Sequence, residues 1–259
     1  MILIAESKTM ASGLSEVSLE EFQEFRPLFD GIANAIMNSL RGHTLKQLAT
    51  EAGITLRLAA SLQRMIYEFP NTSFGIRAIE AFTGVVFRQL NPAGYNDDTQ
   101  KRFLNNNVRI ISSLYGWLRP DDIIKPYRFE FKSHVAPLGE TLMKYWKKDV
   151  TIALMKELQA NGDTEIIDLL PSDAAKCVDW KLVKHFANVY KVDFKTVSGD
   201  EGLKTPNSGR LKELRGRLLD LAIRNGVVTH TGIATLESSD FMPDPSGPQA
   251  PSYLSFVTA

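Results

Sequence analysis

The residues best equipped for chemistry lie close together between Leu114 and Glu130, where the chain reads LYGWLRPDDIIKPYRFE. Tyr115, Trp117, Arg119, Tyr127, Arg128 and Glu130 bring phenol, indole, guanidinium and carboxylate groups into one short stretch. A guanidinium offers a planar fork of donors matched to phosphate or carboxylate, and a phenol can stack on a base or donate a proton. Three further groups carry similar chemistry: Lys8 in the segment ESKT, the run from Ser172 to Lys176, and the pair Lys212 and Arg215. Together they give a candidate DNA- or anion-binding set of Lys8, Arg119, Tyr127, Arg128, Lys176, Lys212 and Arg215. Lys8, Tyr115 and Lys212 are the candidates for a base, nucleophile or proton donor.

The common catalytic templates do not appear. No serine, histidine and aspartate arrangement stands out, and no glycine-rich phosphate loop of either familiar type is present. His43, His134, His185 and His230 lack the spacing of a helix-borne metal pair, so no metal and no cofactor is expected. Each candidate also has a plainer use. Arg119 or Arg128 can form a structural ion pair with Glu130, Tyr115 can be a core aromatic with one hydrogen bond, and Lys212 can sit on a solvated helix face. The basic residues concentrate between 101 and 148 and between 204 and 224, which would place a positive groove inside a chain of zero formal net charge.

The elements that must position these groups alternate between strands and helices. Residues 1 to 6 form an apolar strand whose C-terminal end carries Glu6, Ser7, Lys8 and Thr9, the place where ligands gather in α/β architectures. Ser18 and Glu21 read as a capping box, with Pro27 dividing the helix after it. LKQLATEAGITLRLAASL reads as two helices joined at Gly53, with Thr55 as a cap and Pro70 as a stop. This is the outline of a helix-hairpin-helix, whose turn can present N–H groups to phosphate, and equally of two ordinary core helices.

Residues 75 to 90 read as a short helix or turn and then a strand, with NPAGYNDD as a loop. Val108 to Ile111 favours a buried strand, and Gly116, Pro120 and Pro126 predict a rigid loop after it. A helix over 141–159, strands over 165–170 and 185–194, a loop over 198–209, a helix over 211–225, a proline-rich loop over 243–251 and a strand over 253–257 complete the pattern. The expectation is one α/β (mixed α+β) domain covering 1–259.

With 44% hydrophobic residues among 259, the chain can build a substantial core. Cys177 is its one cysteine, which excludes an intramolecular disulfide framework and fits a reducing cytoplasm. No stretch approaches the roughly 18 consecutive apolar residues of a membrane span.

Taken in order, these motifs resemble the YaaA family of bacterial proteins associated with peroxide stress. ESKT at Glu6 to Thr9 matches the family's first motif, with Glu6 where a proline is usual, and Leu114 to Glu130 matches its LYG-x-LRP segment together with the PYR-x-E group beyond it. Tyr145 and Trp146, Ser172 to Lys176, and Lys212, Arg215 and Gly216 continue the correspondence, although Asp173 and Ala174 replace a glutamate and tyrosine. The resemblance implies a DNA-binding protein with a positively charged cleft and a helix-hairpin-helix element, which helps limit iron-dependent oxidative damage. The residues alone leave a second destination open, an enzyme acting on a nucleotide, damaged base or other small anionic substrate.

Overall fold

The computed structural model describes residues 1–11, 13–70, 73–95, 98–197, 202–244 and 252–258. Ile2, Leu3 and Ile4 form an apolar run without alternation, the pattern of a strand covered on both faces, and all three are buried. The strand Ile2–Ala5 accordingly runs through the middle of an eight-stranded sheet, parallel to Val108–Ser112 on one side and Glu165–Asp168 on the other. Asn188–Val197 and Tyr253–Thr258 extend the parallel set. Gly116–Leu118 and Met242–Pro243 close the edges antiparallel, and Leu203–Lys204 pairs with the end of Asn188–Val197.

In chain order the five parallel strands lie 2-1-3-4-5 across the sheet, so the chain leaves its first strand to one side and returns to the other. The order reverses between Ile2–Ala5 and Glu165–Asp168. The crevice beyond their C-terminal ends is the place where sheets of this kind take ligands.

Most helices obey the sequence signals. Ser18 Oγ accepts from the Glu21 N–H at 3.1 Å to start Leu19–Glu24, and the next helix, Asp30–Ser39, begins only after Pro27. Leu45–Ala52 and Leu56–Glu68 flank Gly53, which takes φ 68°. That turn spends its amides internally: the Gly53 and Ile54 N–H groups donate to the Thr50 and Ala49 carbonyls at 3.3 and 2.9 Å. These two are therefore not turned outward for phosphate, as a hairpin reading would have them. Leu142–Asn161 ends at Gly162, and Ser208–Asn225 at Gly226, both left-handed as C-terminal caps.

Three sequence expectations change. In 75–90 the order is reversed, with the strand Phe74–Arg77 preceding the short helix Ala78–Ala81 and the 3-10 turn Phe87–Gln89. Asp98–Asn107 is a helix that starts on the last residue of the expected NPAGYNDD loop and had no reading of its own, its single buried apolar side chain, Leu104, giving little periodic signal. The supposed loop after Val108–Ser112 is largely built structure: Gly116–Leu118 folds back on the sheet and Ile123–Ile124 pairs with Phe74–Arg77. Of the loops expected over 198–209 and 243–251, residues 198–201 and 245–251 lie outside the described residues.

Trp146 fixes this hairpin. It is fully buried, its indole N–H donates to the Ser113 carbonyl at 2.8 Å, and its ring lies where a Gly116 side chain would be. Gly116 has φ +67°, and an added Cβ would approach Trp146 Cε3 to 2.5 Å. Gly116→Ala combines left-handed strain with overpacking and should cost about 3 kcal/mol, read as a lower urea midpoint with an unchanged slope.

Candidate functional site

The C-terminal end of the first strand delivers Glu6 into the crevice. Its backbone N–H continues the ladder to the Ile111 carbonyl at 2.9 Å, which leaves the side chain facing the segment after Val108–Ser112. Glu6 Oε2 accepts from the Ser113 N–H at 2.8 Å and from the Tyr127 hydroxyl. Tyr127 Oη lies 2.7 Å from Ser112 Oγ, which itself accepts from the Leu114 and Tyr115 N–H groups at 3.2 and 2.9 Å. Burial raises the Glu6 carboxyl to about 7 against the pull of these donors. Burial and then the Glu6 charge push the Tyr127 phenol well above its ordinary range, so it stays protonated and donates. Ser113 Oγ, fully buried beside this network, has no hydrogen-bond partner of good geometry among the described residues.

The next residues form a charged rim. Ser7 Oγ accepts from the Gly84 N–H at 3.0 Å, and a Cβ on Gly84 would come within 2.4 Å of Ser7 Cβ, so this close approach requires glycine. Lys8 Nζ pairs with Glu130 Oε1 at 2.7 Å, while Arg128 Nη1 donates to the Lys8 carbonyl. Asp173 receives Lys132 at 2.9 Å and Lys176 at 3.6 Å, and the Lys132 hydrogen bond leads in holding its carboxyl below the usual range.

The candidate residues from sequence therefore divide. Lys8, Tyr127 and Arg128 meet around the first strand's end, and Lys176 joins through Asp173 and Lys132. Tyr115 stands behind them as a buried wall, its ring 5.8 Å from Tyr127 and its hydroxyl accepting from the Lys125 N–H at 3.1 Å. Arg119 is not part of the site. Because Gly116–Leu118 runs antiparallel to Val108–Ser112, Arg119 emerges at the opposite end of the sheet, exposed and near Glu157. Lys212 is exposed on Ser208–Asn225. Arg215 turns inward, where burial lowers its pKa and the charges of Asp168 and Asp193 oppose that shift.

The basic runs are partly neutralised in place. Arg109 pairs with Glu157, Lys147 with Asp179 at 3.5 Å, Arg224 with Asp220 at 2.7 Å, and Arg210 and Arg217 share Asp240. The sequence reading placed Glu6 at the strand end without giving it a role, counted Lys125 only within a basic run, and passed over Ser112 and Ser113. Glu6 had a signal, as the first polar residue after a buried strand; the two serines look like strand polarity until Tyr127 is folded onto them. Beside the network a cavity of about 480 Å³ opens between Leu56–Glu68 and the segment from Lys125 to Arg128.

The Glu6 carboxyl has a measurable consequence. An unfolded chain releases this proton near its ordinary value of 4.5, whereas the folded chain keeps it to about 7. Between these values the native state binds more protons, so stability falls as pH rises, by about 3 kcal/mol from this one group. Glu6→Gln, which keeps an acceptor for Ser113 and Tyr127, should flatten that part of the stability curve in urea unfolding across pH 4.5 to 7.5. An identical pH dependence in both proteins would refute the protonated carboxyl.

Known proteins are similar in sequence to this chain. The family model described as "Peroxide stress protein YaaA" matches residues 1–246. A UPF0246 protein of Parabacteroides distasonis is 31% identical over 199 residues, covering 75% of this chain and 76% of that protein. A UPF0246 protein of Porphyromonas gingivalis is 30% identical over 206 residues, 79% of each chain. The chain that carries this strand-end network thus belongs to the YaaA (UPF0246) family of peroxide stress proteins.

Proposed function

We propose that this peroxide stress protein binds DNA by its phosphates at the rim of the strand-end crevice. The observation that carries the reading is the meeting of Lys8 and Arg128 at the end of the first strand, with Arg64 on the cavity wall Leu56–Glu68 and Lys132 and Lys176 gathered on Asp173. Lys8 is well exposed and its pair with Glu130 is weak in water, so a phosphate can displace the carboxylate at little cost. Contacts of this kind position a duplex without reading its sequence. Occupying phosphates would also exclude ferrous ion from them, a route by which binding limits iron-dependent damage.

Because the rim itself carries few cations, the footprint is small. Anisotropy titrations of a fluorescent duplex across a salt series should give a log–log slope of roughly −3, as about three to four phosphates are engaged. Arg128→Ala should reduce the slope by about one, and Arg119→Ala should leave it unchanged. Absence of binding at low salt sinks the reading.

A second reading rests on Glu6. A carboxyl that changes protonation near neutrality, beside a cationic rim, is poised for general acid or base catalysis on a nucleotide, damaged base or other small anion. It displaces the candidates Lys8 and Lys212, which are exposed, and makes Tyr127 the residue that orients the carboxyl. Glu6→Gln should then abolish a turnover that Lys212→Ala leaves intact, in assays of product release from such substrates.

A further inference from the structure

Lys125 is an amine placed where amines are seldom found. It is 8% exposed, its backbone N–H is fixed by Tyr115 Oη, and its Nζ donates to the Phe69 carbonyl while lying 5.3 Å from the Phe69 ring centre. Among the described residues no carboxylate forms an ion pair with it. The acidic group it senses is Asp30, already engaged by Arg26 and Asn34 at 3.0 Å each. Burial lowers its pKa, which enlarges the fraction of neutral, nucleophilic amine.

Lys125 lines the 480 Å³ cavity, a volume suited to a small ligand. Leu58, Met65 and Phe69 supply apolar wall, and Arg64 and Arg128 stand among the lining residues. Arg128 commits one nitrogen to the Lys8 carbonyl and retains further donors. An apolar wall, a desolvated amine and two guanidinium groups match a molecule with an organic body, a carbonyl and an anionic group.

We propose that the cavity binds a small anion bearing an aldehyde or ketone, held by Arg64 and Arg128 and joined to Lys125 Nζ as an imine. The amine nitrogen adds to the carbonyl carbon, the carbonyl oxygen leaves as water with the two amine hydrogens, and a C=N bond remains. No oxidant or reductant takes part. The site shares Arg64 and Arg128 with the rim proposed for DNA, but the imine at Lys125 requires neither DNA nor proton transfer at Glu6.

The full chain is incubated with pyridoxal 5′-phosphate, reduced with borohydride, and the modified lysines are mapped by peptide mass. Lys125 should be modified about tenfold faster than the exposed lysines, inorganic phosphate should protect it, and pyridoxal without its phosphate should react several-fold more slowly there. Labelling spread over exposed lysines, or no protection by phosphate, overturns the proposal. Because Lys125→Met removes a buried contact and can compromise folding, Arg64→Ala on the exposed helix face is the second variant. It should slow Lys125 labelling several-fold, and an unchanged rate overturns the anion subsite.

Discussion

A carboxyl placed in a dry crevice has to be met by donors from somewhere else in the chain, and in this protein that demand organises the functional end of the fold. Glu6 leaves the first strand with no helix to cap it and no arginine at hand. Its donors come from Ser113, just past the second parallel strand, and Tyr127, beyond the hairpin. For both to arrive, the chain must reverse tightly at Gly116 and be held there by Trp146, whose indole fixes the Ser113 carbonyl while its ring fills the space a side chain would need. An unmet buried polar group costs about 1–3 kcal/mol, so the network and the hairpin stand or fall together.

The two ends of the sheet use charge differently. At the N-terminal end, Arg109 is almost fully buried and held by Glu157, which also accepts from Trp117 Nε1 at 2.9 Å. Burial alone would raise the Glu157 carboxyl, and the Arg109 hydrogen bond and charge overcome it, the signature of a satisfied structural pair. At the C-terminal end, pairing is incomplete: Glu6 is held near neutrality, Ser113 Oγ is without a partner of good geometry among the described residues, and Lys125 is met by a carbonyl and a ring in place of a carboxylate. Desolvated groups that are not fully paired leave free energy that a ligand can recover.

What could be read in the sequence depends on how local its cause is. Caps and stops were legible because Ser18, Thr55, Gly53, Gly162 and Gly226 act within a turn of themselves. The first strand was legible because full burial on both faces leaves only apolar residues. The direction of the Gly116–Leu118 hairpin was not, and that one reversal separates Arg119 from Arg128 although nine positions of shared motif connect them. The charge balance of the basic runs was hidden for a related reason: a run of lysine and arginine shows its own charge, while the partners that neutralise part of it, Asp240 for Arg210 or Glu157 for Arg109, stand far along the chain.

The chemistry of the one cysteine narrows how such a protein can act in peroxide stress. Peroxide reacts with a thiolate, and redox-sensing cysteines are exposed and electropositive in their surroundings. Cys177 is fully buried; burial first, then the charges of Glu6 and Asp173, push its thiol above the ordinary range. Both neighbours that disfavour the thiolate are the same carboxyl groups that build the crevice. The charges that shape this end of the sheet therefore also disfavour the thiolate that peroxide attacks.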